Sequence, residues 1–464
     1  MNKVVIKNFF FAFGAQVVSL SASLLITFFA PALIEREEFA YWQLFLTYVT
    51  YVNITRLGIS DGLYLRLGGK RYEELDFELL SHERQIYVCY QAIIALIFAG
   101  LIYFSSISPD RKFVLLACAA CIVIVNANGY LIYILQAVNL TSIYSTSVVL
   151  QNMTWFIAVG IICFGRILSY KVIVIMYVCV HLCSSVYLMY HAKEIVKHKY
   201  IKLGRVLTDI KENIKCGIKL MIATYAGSLI ISSVRMIVDA SWGVEVFGVF
   251  SFSLTLSNVF LTFISQVSIV VFPALRRVPV NGQKKVYIMM RNALSLILPL
   301  VMAGYLPIVL IVHQFLPQYI DSLAFLPMFL PICTFDGKMQ MLCSSFFKSL
   351  RKENTLLKTN LFTLLLSMVV ALTGCFIVKN INFVAVGILV VVAFRSIISE
   401  LILAKEMKCT IYKDLTMEIL MVVLFIVGAT RLRPMTMFVV YAIIYVMYLL
   451  INMKKVNELV HLRN

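Results

Sequence analysis

The chain is 464 residues long, with 61% hydrophobic and only 14% charged residues, a composition that excludes an ordinary soluble globular domain. Its formal charge of +18 comes from 41 Lys and Arg against 23 Asp and Glu. That excess sits largely in short segments between apolar runs, where it is explained as a topology signal and as attraction to anionic lipid headgroups, so nucleic-acid binding is not needed to account for it.

A membrane span needs about 20 mostly apolar residues, because the hydrocarbon core is roughly 30 Å thick and a helix rises about 1.5 Å per residue. About fourteen segments qualify in chain order: 8–34, 40–66, 85–108, 113–138, 141–163, 168–190, 216–239, 242–272, 290–315, 322–348, 355–378, 382–404, 416–431 and 433–453. The expected fold class is therefore an all-α polytopic membrane protein. The first apolar run is near 25 residues, against roughly 7–15 for the core of a signal peptide, and reads as the first span. The cysteines are scattered mainly through the spans, which argues against a disulfide framework or a zinc site; Cys118 and Cys121, in "LLACAACIVIV", read as packing residues.

With a cytoplasmic N-terminus, one set of loops holds Lys70, Arg71, Arg84, the basic residues from Lys193 to Lys215, Arg276, Arg277, Lys284, Lys285, Lys348, Arg351, Lys352, Lys405, Lys408, Lys413, Lys454 and Lys455. The opposite set holds only Arg36, Arg111, Lys112, Arg166, Lys171, Lys379, Arg431 and Arg433. The positive-inside rule then places both termini in the cytoplasm.

Sliding the chain over itself by about 208 residues aligns span boundaries and punctuation: Cys216 with Asn8, Phe247-Gly248 with Phe39-Ala40, Asp336-Gly337 with Asn128-Gly129, and Lys379 with Lys171. Six spans per unit make the repeats parallel. The expected organisation is a six-helix lobe at 1–200, a linker at 201–215, a second six-helix lobe at 216–415, and two further helices with a tail at 416–464. In the linker, Leu203, Val206, Leu207, Ile210 and Ile214 recur at helical spacing while Lys202, Arg205, Lys211 and Lys215 lie largely on other faces. This reads as an amphipathic helix in the cytoplasmic interface; a solvated charged loop is the alternative.

Charged residues inside spans cost about 2.5–3.5 kcal/mol each on insertion scales, so they face partners or a wet cavity. At about 1.5 Å per residue from Ala40, Arg56 lies roughly 24 Å in, with Arg66 near the cytoplasmic surface and Asp61 between them. Asp336, Lys338 and Arg395 lie near mid-membrane, with Glu400 nearer the cytoplasm. Only spacings of three or four bring side chains onto one helix face. Arg235 and Asp239 satisfy that rule and read as a structural ion pair. Arg56 and Asp61, Asp336 and Lys338, and Arg395 and Glu400 do not. Asn53, Arg56 and Ser60 form one polar face. Gly58, Gly62, Gly68 and Gly69 weaken the end of the same span, and Pro327 and Pro331 distort the tenth. Arg56, Asn53, Ser60, Arg66, Lys338 and Arg395 are the expected substrate-binding set, with Asp61, Asp336 and Glu400 as ion-coupling or salt-bridge acids; a purely structural salt-bridge network is the competing reading. There is no P-loop, HExxH, GxSxG or DFG set and no room for an extramembrane domain, so no enzyme activity, cofactor or metal is expected. Embedded guanidinium groups suit phosphate oxygens.

"GISDGLYLRLGGKRYEELD", Gly58 to Asp76, resembles the corresponding region of bacterial polysaccharide transporters, with looser similarity at "LQAVN" and "FGVFSFSLTLSN". These are the Wzx-like O-antigen and capsule flippases of the multidrug/oligosaccharidyl-lipid/polysaccharide exporter superfamily. The resemblance implies two six-helix lobes in a V around a central cavity. It also implies a polyprenyl-pyrophosphate-linked oligosaccharide as substrate, moved to the outer leaflet of the bacterial inner membrane, with membrane lipids, a polymerase and glycosyltransferases as partners. A major-facilitator transporter is a rival, since "DGLYLRLGGKR" loosely matches that family's loop motif, but Leu65 stands where the acidic residue belongs. A drug or cation antiporter and a non-transporting scaffold are further alternatives.

Overall fold

The computed structural model describes residues 31–32, 34–165, 169–197, 203–276 and 280–461, with side chains 141, 162–164, 263, 265–281 and 458–461 excepted. The expected span 8–34 lies almost wholly outside these residues, as do Arg166, Lys202 and Arg277. Among the described residues the chain is helical with no strand, and each of the other thirteen or so expected spans falls on helix. By chain contacts the residues divide into Met1–Ser232 and Ser233–Asn464.

The first unit contains α1 (Arg36–Val52), α2 (Ile59–Leu67), α3 (Phe77–Tyr103), α4 (Pro109–Ala137), α5 (Thr141–Gly165), α6 (Tyr170–His191) and the start of α7 (Leu203–Arg276). α1 and α2 are the two halves of one expected span. They are separated by a 3₁₀ turn, Asn53–Arg56, and by Leu57 (φ 51°) and Gly58 (φ 79°) in the left-handed region. A side chain is strained at such a φ, and glycine at 58 removes that cost for one of the two residues. Gly58 has a second reason to lack a side chain: a Cβ there would lie 2.7 Å from the Gly217 carbonyl carbon, and one on Gly62 would lie 2.7 Å from Asn213 Cα. α2 and α7 thus cross backbone to backbone over Gly58, Gly62 and Gly217, the close approach that small residues four apart permit. The expected interfacial linker is helical from Leu203, with no non-helical residue before Gly243 (φ 82°, ψ 177°). Leu203 and Leu207 are exposed, and Val206 and Asn213 are buried.

The second unit continues through α8 (Val280–Ile297), a 3₁₀ stretch Leu298–Gly304, α9 (Tyr305–Phe315), α10 (Ile332–Lys338), α11 (Glu353–Leu372), α12 (Ile381–Glu406), α13 (Tyr412–Arg431), α14 (Pro434–Ile451) and α15 (Met453–His461). Pro299 has no N–H to give the Ser295 carbonyl four residues back. Tyr448 of α14 donates to that carbonyl at 3.0 Å, and Tyr441 and Tyr445 donate to the Pro299 and Leu296 carbonyls at 2.8 Å each. The expected additional helices are therefore docked on the broken part of the ninth span. The tenth span bends by 55° between Pro317–Ala324 and Leu326–Ser349. Pro327 sits in the first turn after that bend, where its missing N–H costs nothing, and the helix passes through a π turn, Met339–Ser344, directly after Lys338.

Candidate functional site

Arg56 ends the 3₁₀ turn and is 7% exposed. Its Nε donates to Asn126 Oδ1 at 3.1 Å, and its Nη2 donates to Asn53 Oδ1. The rings of Tyr133 and Tyr225 each lie 5.5 Å from the guanidinium carbon, close enough for the ring quadrupoles to favour the cation. A Cβ on Gly129 would sit 3.4 Å from Nη1, so the glycine keeps that side clear. Arginine has five N–H donors, and the two amide contacts use two of them. Among the described residues Arg56 forms no ion pair; the Asp61 carboxylate, buried five residues along, acts on it through its field.

The amides are held in turn. Asn126 Nδ2 donates to Thr55 Oγ1 at 2.8 Å, Gln91 Oε1 at 3.1 Å and the Val52 carbonyl at 3.3 Å. Gln91 Nε2 donates to the Thr55 carbonyl at 3.0 Å, while Thr55 Oγ1 donates to Gln91 Oε1 at 2.8 Å. The break between α1 and α2 releases carbonyls that would be costly in lipid, and α3 and α4 satisfy two of them with amide side chains. Ser60, fully buried, lies at the start of α2.

Arg66 is in a different state. Its Nη2 donates to Asp209 Oδ1 at 2.7 Å and Glu212 Oε2 at 2.9 Å, and its Nη1 donates to Asn213 Oδ1 at 2.6 Å. Asn213 Nδ2 donates to the buried Glu83 Oε1 at 2.7 Å. A second tie, Arg205 to Asp76 at 2.7 Å, also holds the start of α7 on this unit.

The second unit's charges form an alternating chain. Lys455 pairs with Asp414 at 2.6 Å, Asp414 with Arg291, Arg291 with Glu400 at 2.6 Å, Glu400 with Lys338 at 3.0 Å, and Lys338 with Glu418. It joins α8, α10, α12, α13 and α15, and its three cations match its three carboxylates. Arg395 is held separately, by Asp336 Oδ1 at 3.2 Å and Asn360 Oδ1 at 2.8 Å, with Gln340 donating to Asp336 at 2.8 Å. Lys338 and Arg395, expected from the sequence to bind substrate, are thus engaged by carboxylates of their own unit. Asp336 and Glu400 are the acids that engage them. Arg235 donates from Nε to Ser251 Oγ at 3.0 Å and lies 5.4 Å from the Phe247 ring centroid; Asp239, one turn on, is buried.

Sequence reasoning missed Asn126, Gln91, Tyr133 and Tyr225 around Arg56, and Arg291, Asp414, Glu418 and Lys455 in the second unit. Asn126 and Gln91 were visible as isolated amides within apolar runs, and Asp414 and Glu418 as acids four apart on one helix face. At the offset of about 208 residues Arg56 corresponds to Ile264 and Gly129 to Gly337. A Cβ on Gly337 would meet Ile264 Cδ1 at 2.9 Å. The same glycine contact occurs in both units, with a cation in one and an alkyl chain in the other.

No family model matches the sequence, and no curated protein matches it by sequence. Solved structures do match the fold. An inward-facing multidrug resistance MATE family transporter of the MOP superfamily aligns with TM-score 0.63 and 13% identity over 85% of this chain and 94% of that one. The lipid II flippase MurJ in an inward closed conformation aligns with TM-score 0.61 and 15% identity over 97% of this chain and 99% of that one. An outward-facing MATE family transporter aligns with TM-score 0.58 and 12% identity over 86% and 95%. The chain has the membrane-transporter fold of these proteins.

Proposed function

We propose that the protein is a flippase for a polyprenyl-pyrophosphate-linked oligosaccharide of the O-antigen or capsule class. It moves the headgroup from the cytoplasmic to the outer leaflet of the bacterial inner membrane by alternating access, with both termini cytoplasmic. The observation that supports this most is the state of Arg56. It is a buried guanidinium held by amides and tyrosines, whereas Arg66, Arg291, Lys338 and Arg395 are each bonded to carboxylates. A guanidinium with no directly bonded acid among the described residues suits a diphosphate, which accepts two parallel N–H bonds. In this reading Asn53 and Ser60 extend the polar face beside Arg56, and Arg66 lies on the cytoplasmic approach. Lys338 and Arg395 keep the second unit packed through Glu400, Glu418 and Asp336. The polyprenyl chain remains in lipid. The bound headgroup must favour one facing state over the other for binding to move the equilibrium.

The second reading is a cation- or proton-coupled small-molecule antiporter, favoured by the buried acids Asp61 and Glu400. Deleting the gene in its host and extracting lipids separates the two. The flippase reading expects an undecorated surface and accumulation of a pyrophosphate-linked glycolipid in the cytoplasmic leaflet. Normal surface polysaccharide together with hypersensitivity to small cationic drugs would contradict it.

A further inference from the structure

Arg66, Arg291, Lys338 and Arg395 are each bonded to an acid, and Arg56 is bonded to amides. The amide orientation at Asn126 is not arbitrary. Three acceptors, Thr55 Oγ1, Gln91 Oε1 and the Val52 carbonyl, surround its Nδ2, and this turns Oδ1 toward Arg56 Nε. A carboxylate at 126 would lose all three of those donor contacts and give Arg56 a counter-charge. Asn53, one helical turn before Arg56, supplies the second acceptor in the same uncharged form. Tyr133 and Tyr225 favour the guanidinium through their ring faces, again without a formal charge. The cage therefore fixes the direction of the guanidinium without bonding an acid to it among the described residues; the Asp61 carboxylate acts on it only at a distance.

Resting on the reading of Arg56 as the diphosphate receptor, we infer that Asn53 and Asn126 are positioning residues that set anion affinity by being amides. They hold the fork of Arg56 in a bound-ready direction, and replacing either by its isosteric acid supplies an internal anion that competes with the ligand's phosphate. Gln91 and Thr55 act one step further out, by fixing the Asn126 amide.

The test is equilibrium binding of farnesyl pyrophosphate and of farnesol to the purified full-length protein in nanodiscs, over a series of NaCl concentrations. Variants are Asn126→Asp, Asn53→Asp, Asn126→Ala and Arg56→Ala. An internal carboxylate bonds the guanidinium more strongly than an amide does and must be displaced by the ligand, so each amide-to-acid variant is expected to weaken farnesyl pyrophosphate by about tenfold or more. It should also flatten the salt dependence, because the cation is already neutralised, while farnesol binding stays as in the wild type. Asn126→Ala keeps the charge and loses only its orientation, so its salt dependence persists and its loss is smaller. Wild-type affinity in both Asp variants overturns the inference, as does an equal loss for farnesyl pyrophosphate and farnesol, which marks general damage. The Asn53 variant covers the case in which the fully buried position 126 does not tolerate a charge. If Arg56→Ala loses farnesyl pyrophosphate and the Asp variants keep it, only this inference fails; if Arg56→Ala keeps it, the reading of Arg56 itself fails.

Discussion

Replacing Lys338 by Met tests whether this cation is structural or available to substrate. Lys338 is 1% exposed on its side chain and bonds Glu400 at 3.0 Å and also Glu418. The two acids fare differently when it is removed. Glu400 keeps Arg291 at 2.6 Å, but among the described residues Lys338 is the only cation bonded to Glu418, which is itself 1% exposed. Leaving one buried charge uncompensated costs about 3–5 kcal/mol, whereas replacing both partners by neutral groups of similar volume is close to neutral. Lys338→Met should therefore lower the thermal unfolding midpoint of the purified protein sharply, and Glu418→Gln added to it should restore most of the loss. The double variant should also retain transport. A double variant that is as unstable as the single one would refute the assignment of the pair, and a stable double variant without transport would return Lys338 to the substrate path.

Gly62→Ala places a Cβ 2.6 Å from the Asn213 carbonyl carbon. Forcing the α2–α7 crossing apart should cost about 1–3 kcal/mol in a denaturant titration, and an unchanged midpoint would mean that the helices do not meet as described. Arg395→Met should destabilise through the half-buried Asp336 it leaves without its cation, with Asp336→Asn restoring stability; failure of that rescue in the same titration would place another role on Arg395. Charge reversal at Arg66 to Glu should release the start of α7 and raise proteolysis near Leu203, and Asp209→Arg in the same chain should reduce it again; cleavage unaffected by either change would contradict the Arg66 tie.

Much of the helical layout was legible because a lipid span is specified by length and apolarity alone, and every described segment expected to span is helical. What escaped were the places where one segment depends on another. The break at Asn53–Gly58 looked like weak helix because of its glycines, but their spacing also serves the crossing with Gly217, which is over 150 residues away on the chain. That Lys338 and Arg395 fall on helix within apolar segments was readable from the sequence. Their partners were not, because Glu418 and Asn360 lie on other helices and no spacing rule links them. Arg56 showed as a charge that its own helix could not neutralise; of the amides that hold it, Asn53 was legible one turn before it, whereas Asn126 comes from α4 and is fixed in turn by Gln91 of α3.

Comparing farnesyl pyrophosphate binding in the wild type, Arg56→Ala and Arg56→Lys tests the central claim most directly, with circular dichroism confirming that helix content is unchanged. The account predicts that the alanine variant loses affinity by about two orders of magnitude, as expected when about 3 kcal/mol of charge-assisted bonding is removed, and that lysine, a point charge without a planar fork, restores only part of it. Full affinity in the alanine variant would contradict it.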